Sequence, residues 1–180
     1  YLMMPRIFRK EAEQYFRKQM ELLTSAGFDA LGIGSMEEPG FLREAGIELP
    51  MYFDQGMYSW NHLAGAAMER YGADRLTIPV ELNEREIRDS GVQGEMIVYG
   101  YLPMMISAQC IRKTTLGCSG KPEIMWLKDR KDMRFPVVNQ CRFCYNTIYN
   151  SAPLSLLGLS EQVTGLKPNA VRLNFTVEEP

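Results

Sequence analysis

An α/β fold with a mainly parallel sheet is what this sequence predicts, on three observations. Short apolar runs that read as strands alternate with helical patterns from residue 2 to residue 99, at a repeat of about 20–25 residues. Such alternation means parallel strands joined by right-handed helical crossovers. The runs are also apolar without a polar/apolar alternation, as strands covered on both faces are. An open doubly wound sheet and a (β/α)8 barrel both satisfy these observations. The rhythm is even, and Gly32-Ile33-Gly34 is only a lone GxG, so no dinucleotide-binding loop is present.

The elements follow in order. Residues 2–7 are apolar and strand-like. Residues 10–26 carry Ala12, Tyr15, Phe16, Met20, Leu22 and Leu23 at mostly helical spacing, and Gly27 ends that helix. Residues 30–33 form a second strand, followed by a short helix at 40–45 that stops at Gly46. Residues 51–53 are a third strand, ending at Asp54-Gln55-Gly56; Ser59 then caps a helix that runs to Tyr71 and closes at Gly72. Residues 75–79 are a fourth strand, Asn83 caps a charged helix at 84–89, and residues 95–99 are a fifth strand. After Gly100 the rhythm breaks. Residues 101–120 read as loop, and two β-rich runs at 123–128 and 133–138 flank a charged turn, predicting an antiparallel hairpin. A strand at 147–150, a helix at 155–166 and a last strand at 171–176 complete the chain.

Composition bounds the function classes. With 180 residues, 46% hydrophobic and 23% charged, the chain can bury one core as a single domain, 1–180. A net charge of −2 excludes a bulk polycation. No apolar run reaches a membrane span, and no targeting segment stands out, which points to a cytoplasmic protein without a membrane partner. Tyr1 in place of an initiator methionine, directly before a strand, predicts a piece of a longer protein. Most of the twelve methionines lie on apolar stretches and read as core.

All four cysteines lie inside residues 101–146: Cys110, Cys118, Cys141 and Cys144, spaced C-x7-C-x22-C-x2-C. Thiolates select zinc, Cu(I) or iron–sulfur clusters. A zinc knuckle wants two short pairs, and only Cys141/Cys144 qualifies. An iron–sulfur cluster tolerates irregular spacing and is favoured. Disulfides need an oxidising compartment, and four unrelated thiols remain the plain alternative. Residues 110–144 hold eight basic and three acidic side chains, +5 in a chain of −2, with Trp126, Phe135 and Phe143 interleaved and Tyr145 just after. That pattern suits a phosphate backbone and stacked bases, or equally a solvated hairpin balancing an anionic thiolate site.

The run 95–110, EMIVYGYLPMMISAQC, resembles the signature of the U32 peptidase, or collagenase-like protease, family. Gly27-Phe28-Asp29-Ala30, Asn61, Glu81-Leu82-Asn83, Glu86-Ile87, Asn150-Ser151 and Leu173-Asn174-Phe175-Thr176 are similar to its further landmarks. The resemblance implies a partial (β/α)8 TIM-like barrel lacking its first strands, with a β-hairpin cysteine-bearing insertion. It implies two missing βα units from an N-terminal part of the same chain, and exposed sheet edges that favour oligomers. The family includes proteases of unresolved catalytic type. It also includes iron–sulfur proteins that hydroxylate RNA bases or act in oxygen-independent ubiquinone synthesis, some with prephenate as oxygen donor. By resemblance, Cys110 is a ligand of a 4Fe-4S cluster. The family's further cysteine, seven residues earlier, is here Pro103, so Cys118 supplies the remaining ligand beside Cys141 and Cys144.

In a barrel, chemistry sits at strand C-termini. Asp54 and Glu81 are therefore candidate catalytic residues, with Arg6 and Gln55 as substrate-binding candidates. Ser107 and Tyr99 join these lists because they match the family signature. Each has a plain alternative: a turn-forming aspartate for Asp54, a residue lining the strand ends for Arg6. The single His62 reads as a surface or packing residue on its helix, which argues against a Ser–His–Asp triad. Three functions follow: an iron–sulfur RNA hydroxylase, a peptidase acting on protein or peptide substrates, or a non-catalytic metal-stabilised module that binds RNA or protein, with zinc as the alternative metal.

Overall fold

The structure, a computed structural model, describes residues 1–178. It is a mixed α/β protein of two compact units, residues 1–97 with 159–172, and residues 98–158 with the C-terminal remainder from residue 173.

The first unit holds a parallel sheet in sequence order: β1 (Leu2–Met3), β2 (Leu31–Ile33), β3 (Met51–Phe53) and β4 (Arg75–Leu76). Helices cover the connections: α1 (Lys10–Lys18) and α2 (Met20–Ser25), then α3 (Glu37–Glu44), then α4 (His62–Tyr71). A parallel bridge from Thr77 to Glu95 links β4 to β5 (Glu95–Gly100), after α5 (Glu84–Ser90). Gly94, at the start of β5, has no room for a side chain: a Cβ there would stand 2.4 Å from the Leu76 carbonyl oxygen. The last strand, β11 (Ala170–Asn174), lies beside β5, with the Asn169 N–H donating to the Gly94 carbonyl. Ala30, Leu31, Ile33, Phe53, Leu42 and Ile97 form the fully buried core, which is why these strands carry no polar alternation. Among the described residues no strand covers the free edge of β1, so the sheet is not a closed barrel.

The second unit is an antiparallel sheet ordered β6 (Pro103–Ser107), β9 (Tyr145–Tyr149), β8 (Arg134–Gln140), β7 (Ile124–Lys128). The expected hairpin is present as β7 and β8, turned by Asp129, whose carboxylate accepts the amides of Lys131 and Met133. A short β10 (Leu154–Ser155) pairs antiparallel with the end of β5.

Several boundaries differ from expectation. Residues 101–120 are not all loop: β6 and a helix, α6 (Ile111–Thr115), occupy them. Pro103 and the unalternating Met104-Met105-Ile106 hid the strand, which is specified by its distant partner β9 rather than by local pattern. For the same reason the strand at 147–150 does not resume the parallel series; it pairs antiparallel with β6 and β8. Asn61, not Ser59, caps α4, accepting from the amides of Leu63 and Ala64. The first helix breaks at Gln19, and the helix expected from 155 begins at Ser160 as α7 (Ser160–Gly165). α3 starts at Glu37 rather than residue 40, because proline is tolerated in a helix's first turn, where its missing N–H costs nothing.

Candidate functional site

Two polar clusters stand out, one in each unit. The first gathers at the C-terminal ends of β1 to β3. Asp54 follows β3 and is buried; its N–H donates to the Ile33 carbonyl, fixing it against the end of β2. One carboxylate oxygen pairs with the Arg6 guanidinium, and the other accepts from Arg172 Nη2 at 2.6 Å. Arg172, on β11, also meets Glu95 at 3.2 Å and donates to the Tyr1 hydroxyl. Burial alone would raise the Asp54 pKa, but the two guanidiniums outweigh it and hold the carboxyl below its usual range. Burial likewise disfavours the Arg172 cation, and Asp54, then Glu95, reverse that and raise its pKa. A carboxylate so firmly ionised is a weak proton acceptor near neutral pH.

Glu38, in the first turn of α3, belongs to the same cluster. It is fully buried; its Oε2 accepts the Gly34 amide at 2.8 Å and the Ser35 amide at 3.4 Å. Burial pushes its pKa up to about 8, against the pull of those amides and of Arg6. Gln55 is buried beside Asp54. Glu81, by contrast, is exposed in the loop after β4.

The second cluster lies at one end of the antiparallel sheet. Cys110 caps α6, its Sγ accepting the Lys113 amide at 3.4 Å. Cys141 and Cys144 bracket the turn between β8 and β9, and Cys144 holds a left-handed φ of 51°. The Cys141 thiol donates to the Lys121 carbonyl at 2.9 Å, tying that turn to the loop bearing Cys118. Glu123 anchors the same loop by its ion pair with Arg112 of α6, 2.6 Å. Burial first, and then the neighbouring Cys110, Cys118 and Cys144 thiolates and Glu123, push the Cys141 pKa up. Asn146, buried in β9, donates to the Gln109 carbonyl at 2.7 Å and to that of Ser107, which fixes the backbone leading into Cys110. A cleft of about 200 Å³ opens beside this loop, lined by Met105, Ser107, Gln109, Ile111 and Ile148 among others. Among the described residues the Ser107 hydroxyl engages the Gln109 backbone alone, as acceptor from its N–H and donor to its carbonyl. Tyr99, half-buried on β5, packs on Phe175 at 5.3 Å between ring centroids.

Sequence comparison decides the family. The profile of peptidase family U32 matches residues 1–169. The chain belongs to peptidase family U32. No curated protein and no solved structure matches it.

Within this U32 chain the structure brings Arg6, Asp54 and Gln55 together, and ties the Cys141 turn to the loop bearing Cys118. It leaves Glu81 apart in its loop. The four cysteines fit an iron–sulfur or zinc site in ligand type and number. All four are free thiols, and among the described residues no three His, Cys, Asp or Glu side chains form a ready-made ligand group. Also among the described residues, no helix is long and apolar enough to cross a membrane. Glu38 and Arg172 escaped sequence reasoning. The Ser35-x-x-Glu38 spacing of a capping box could have flagged Glu38, whereas nothing local marks Arg172, whose partners are 118 and 77 residues away in the chain.

Proposed function

We propose that this U32 chain forms most of a (β/α)-type barrel whose four cysteines hold a 4Fe-4S cluster used in oxygen-independent hydroxylation of RNA. One observation carries the reading: the Cys141 thiol donates to the Lys121 carbonyl at 2.9 Å, tying the Cys141/Cys144 turn to the loop that bears Cys118, and the three other thiols add to burial in opposing Cys141 ionisation. Thiolates kept at such range call for a cation to balance them. The cluster would supply electron transfer; the protein's own residues bind and orient. Basic Arg130, Lys131 and Arg134 and a half-exposed Trp126, 50% accessible, line the β7–β8 hairpin. That is the cationic and stacking surface single-stranded RNA requires. Arg6, Gln55 and Asp54 hold a substrate group at the strand ends, with Asp54 fixing the guanidiniums rather than moving a proton. Zinc remains the alternative metal.

The test is purification without oxygen, with iron assay and visible absorption. Four irons per chain and a charge-transfer band, lost in Cys110→Ser, Cys118→Ser, Cys141→Ser and Cys144→Ser alike, support the reading. Zinc, or no metal, overturns it. RNA binding that survives without any redox-active metal would favour a non-catalytic binding module. The family name carries a second reading, peptidase activity. Ser107 bonded only to backbone and His62 exposed on α4 supply no nucleophile–base pair for it. Hydrolysis of gelatin abolished by one substitution among Asp54, Glu81 or Ser107 would restore that reading.

A further inference from the structure

The strand-end cluster contains two groups that its ion pairs leave unused. Gln55 is 6% exposed, and neither its amide nitrogen nor its amide oxygen meets a partner among the described residues. Glu38 is 0% exposed; Oε2 takes both backbone amides, while Oε1 makes no well-formed hydrogen bond among the described residues, the Ser35 hydroxyl also acting on the carboxyl. Burying such groups without partners costs about 1–3 kcal/mol each, so natural folds rarely keep them without use.

Neighbouring backbone carries both, since a Cβ on Gly56 would stand 3.6 Å from the Gly34 carbonyl oxygen. A Cβ on Gly56 would stand 2.8 Å from Arg6 Nη1, and one on Gly34 would stand 3.2 Å from Arg6 Cδ. Arg6 thus threads between two glycines, one following Gln55 and one donating its N–H to Glu38. The charge is balanced: Asp54 and Glu95 offset Arg6 and Arg172. Glu38, facing Arg6 across this network and raised to about pH 8, is uncharged at neutrality. Because Oε2 accepts two N–H groups, its acid proton belongs on Oε1, as a donor. Gln55 adds one donor and one acceptor side by side. No unbalanced charge remains to recognise an ion, and the complement of these groups is a neutral group with a carbonyl and an N–H.

We propose that Gln55 and Glu38 form a binding site for a neutral, amide-bearing ligand at the C-terminal ends of β2 and β3. This rests on reading the strand ends as the ligand-holding face, and is independent of any metal at the cysteines.

Three small probes of one shape test it on the full chain: propionamide, propionate and propylammonium, followed by amide NMR. Propionamide is expected to shift the Gly34 and Ser35 amides and the Gln55 side-chain NH2 saturably. Its affinity should fall about tenfold from pH 7 to pH 9 as Glu38 ionises. Glu38→Gln, which keeps a neutral donor, should bind equally at both pH values. Gln55→Leu should lose binding while keeping or gaining thermal stability, because it removes an unmatched polar group. Stronger shifts with propionate or propylammonium would overturn the neutral class. Saturable shifts with none of the three would overturn the site and leave a cluster satisfied by water. Neither result depends on the iron assay, so failure here and failure of the cluster reading are separable.

Discussion

In the parallel sheet, charge is buried and already paired: Asp54 is held by Arg6 and Arg172, and Arg172 by Glu95. In the antiparallel sheet the reactive groups sit in half-buried or exposed loops. All four thiols are free, and the ion pair of Arg112 with Glu123 braces the loops rather than the thiols. The charges of the first region are matched within its own chain. The second, on the function proposed above, is arranged to recruit a metal. The difference teaches where each region's stability resides: in the first, removing a partner strands a buried charge; in the second, removing a thiol strands nothing.

The largest effect expected follows directly. Asp54→Ala leaves two partly buried guanidiniums short of their buried carboxylate and should cost about 3 kcal/mol of unfolding free energy. Each Cys→Ser variant, measured in metal-free buffer, should stay within about 0.5 kcal/mol of the parent. Urea denaturation of both sets checks the contrast. A cysteine variant as damaging as Asp54→Ala would break it, because the thiols would then be core.

A second effect separates two carboxylates within the first region. Glu38 has a folded pKa of about 8 against an ordinary 4.5. The folded chain therefore holds a proton that the unfolded chain releases. Its contribution is fully present below pH 4.5 and lost as pH rises through 8, on the order of 3–5 kcal/mol in all. Asp54 has the opposite sign: its folded pKa lies below 3.8, so its contribution is present above that pH and lost as pH falls through the folded value. Glu38→Gln should flatten the alkaline limb of the stability curve and leave the acid limb unchanged. An unchanged alkaline limb would show that Glu38 is not the titrating group.

A third effect concerns the exposed region alone. Trp126→Ala should weaken single-stranded RNA binding by about 1–3 kcal/mol, the size of one stacked base, with no change in denaturation midpoint. Loss of fold in this variant would place Trp126 in packing rather than at a partner surface.

Legibility in the sequence followed the same division. The parallel strands were readable because burial on both faces writes itself locally, as continuous apolar runs at Leu31–Ile33 and Met51–Phe53. The β7–β8 hairpin was readable from its charged turn. β6 was not, since its pairing with β9 is long-range and its Met104 and Met105 face solvent. Of the candidate site, Arg6, Asp54 and Gln55 followed from their place at strand ends, and the cysteines from their confinement to one segment. Arg172 did not, because an arginine in a strand carries no local mark, and Glu38 was marked only by its capping-box spacing from Ser35. Only the fold assigns them to Asp54 and Arg6.

The smallest effect probes why a cysteine occupies Cys144 at all. Its φ of 51° lies in the left-handed region, where a side chain costs about 1 kcal/mol and glycine costs nothing sterically. Cys144→Gly relieves that strain but loosens the unfolded chain, so its stability should fall within about 0.5 kcal/mol of the parent. Cys144→Ala keeps the strain and loses only the thiol, and should be less stable than Cys144→Gly by about 0.5–1 kcal/mol. If the cysteine is there for ligation, both variants should lose iron to the same extent despite their different stabilities. Iron retained in Cys144→Gly and lost in Cys144→Ala would mean that the turn's geometry, and not the sulfur, holds the site. Iron retained in both would remove Cys144 from the ligand set and leave Cys110, Cys118 and Cys141 as the recruiting group.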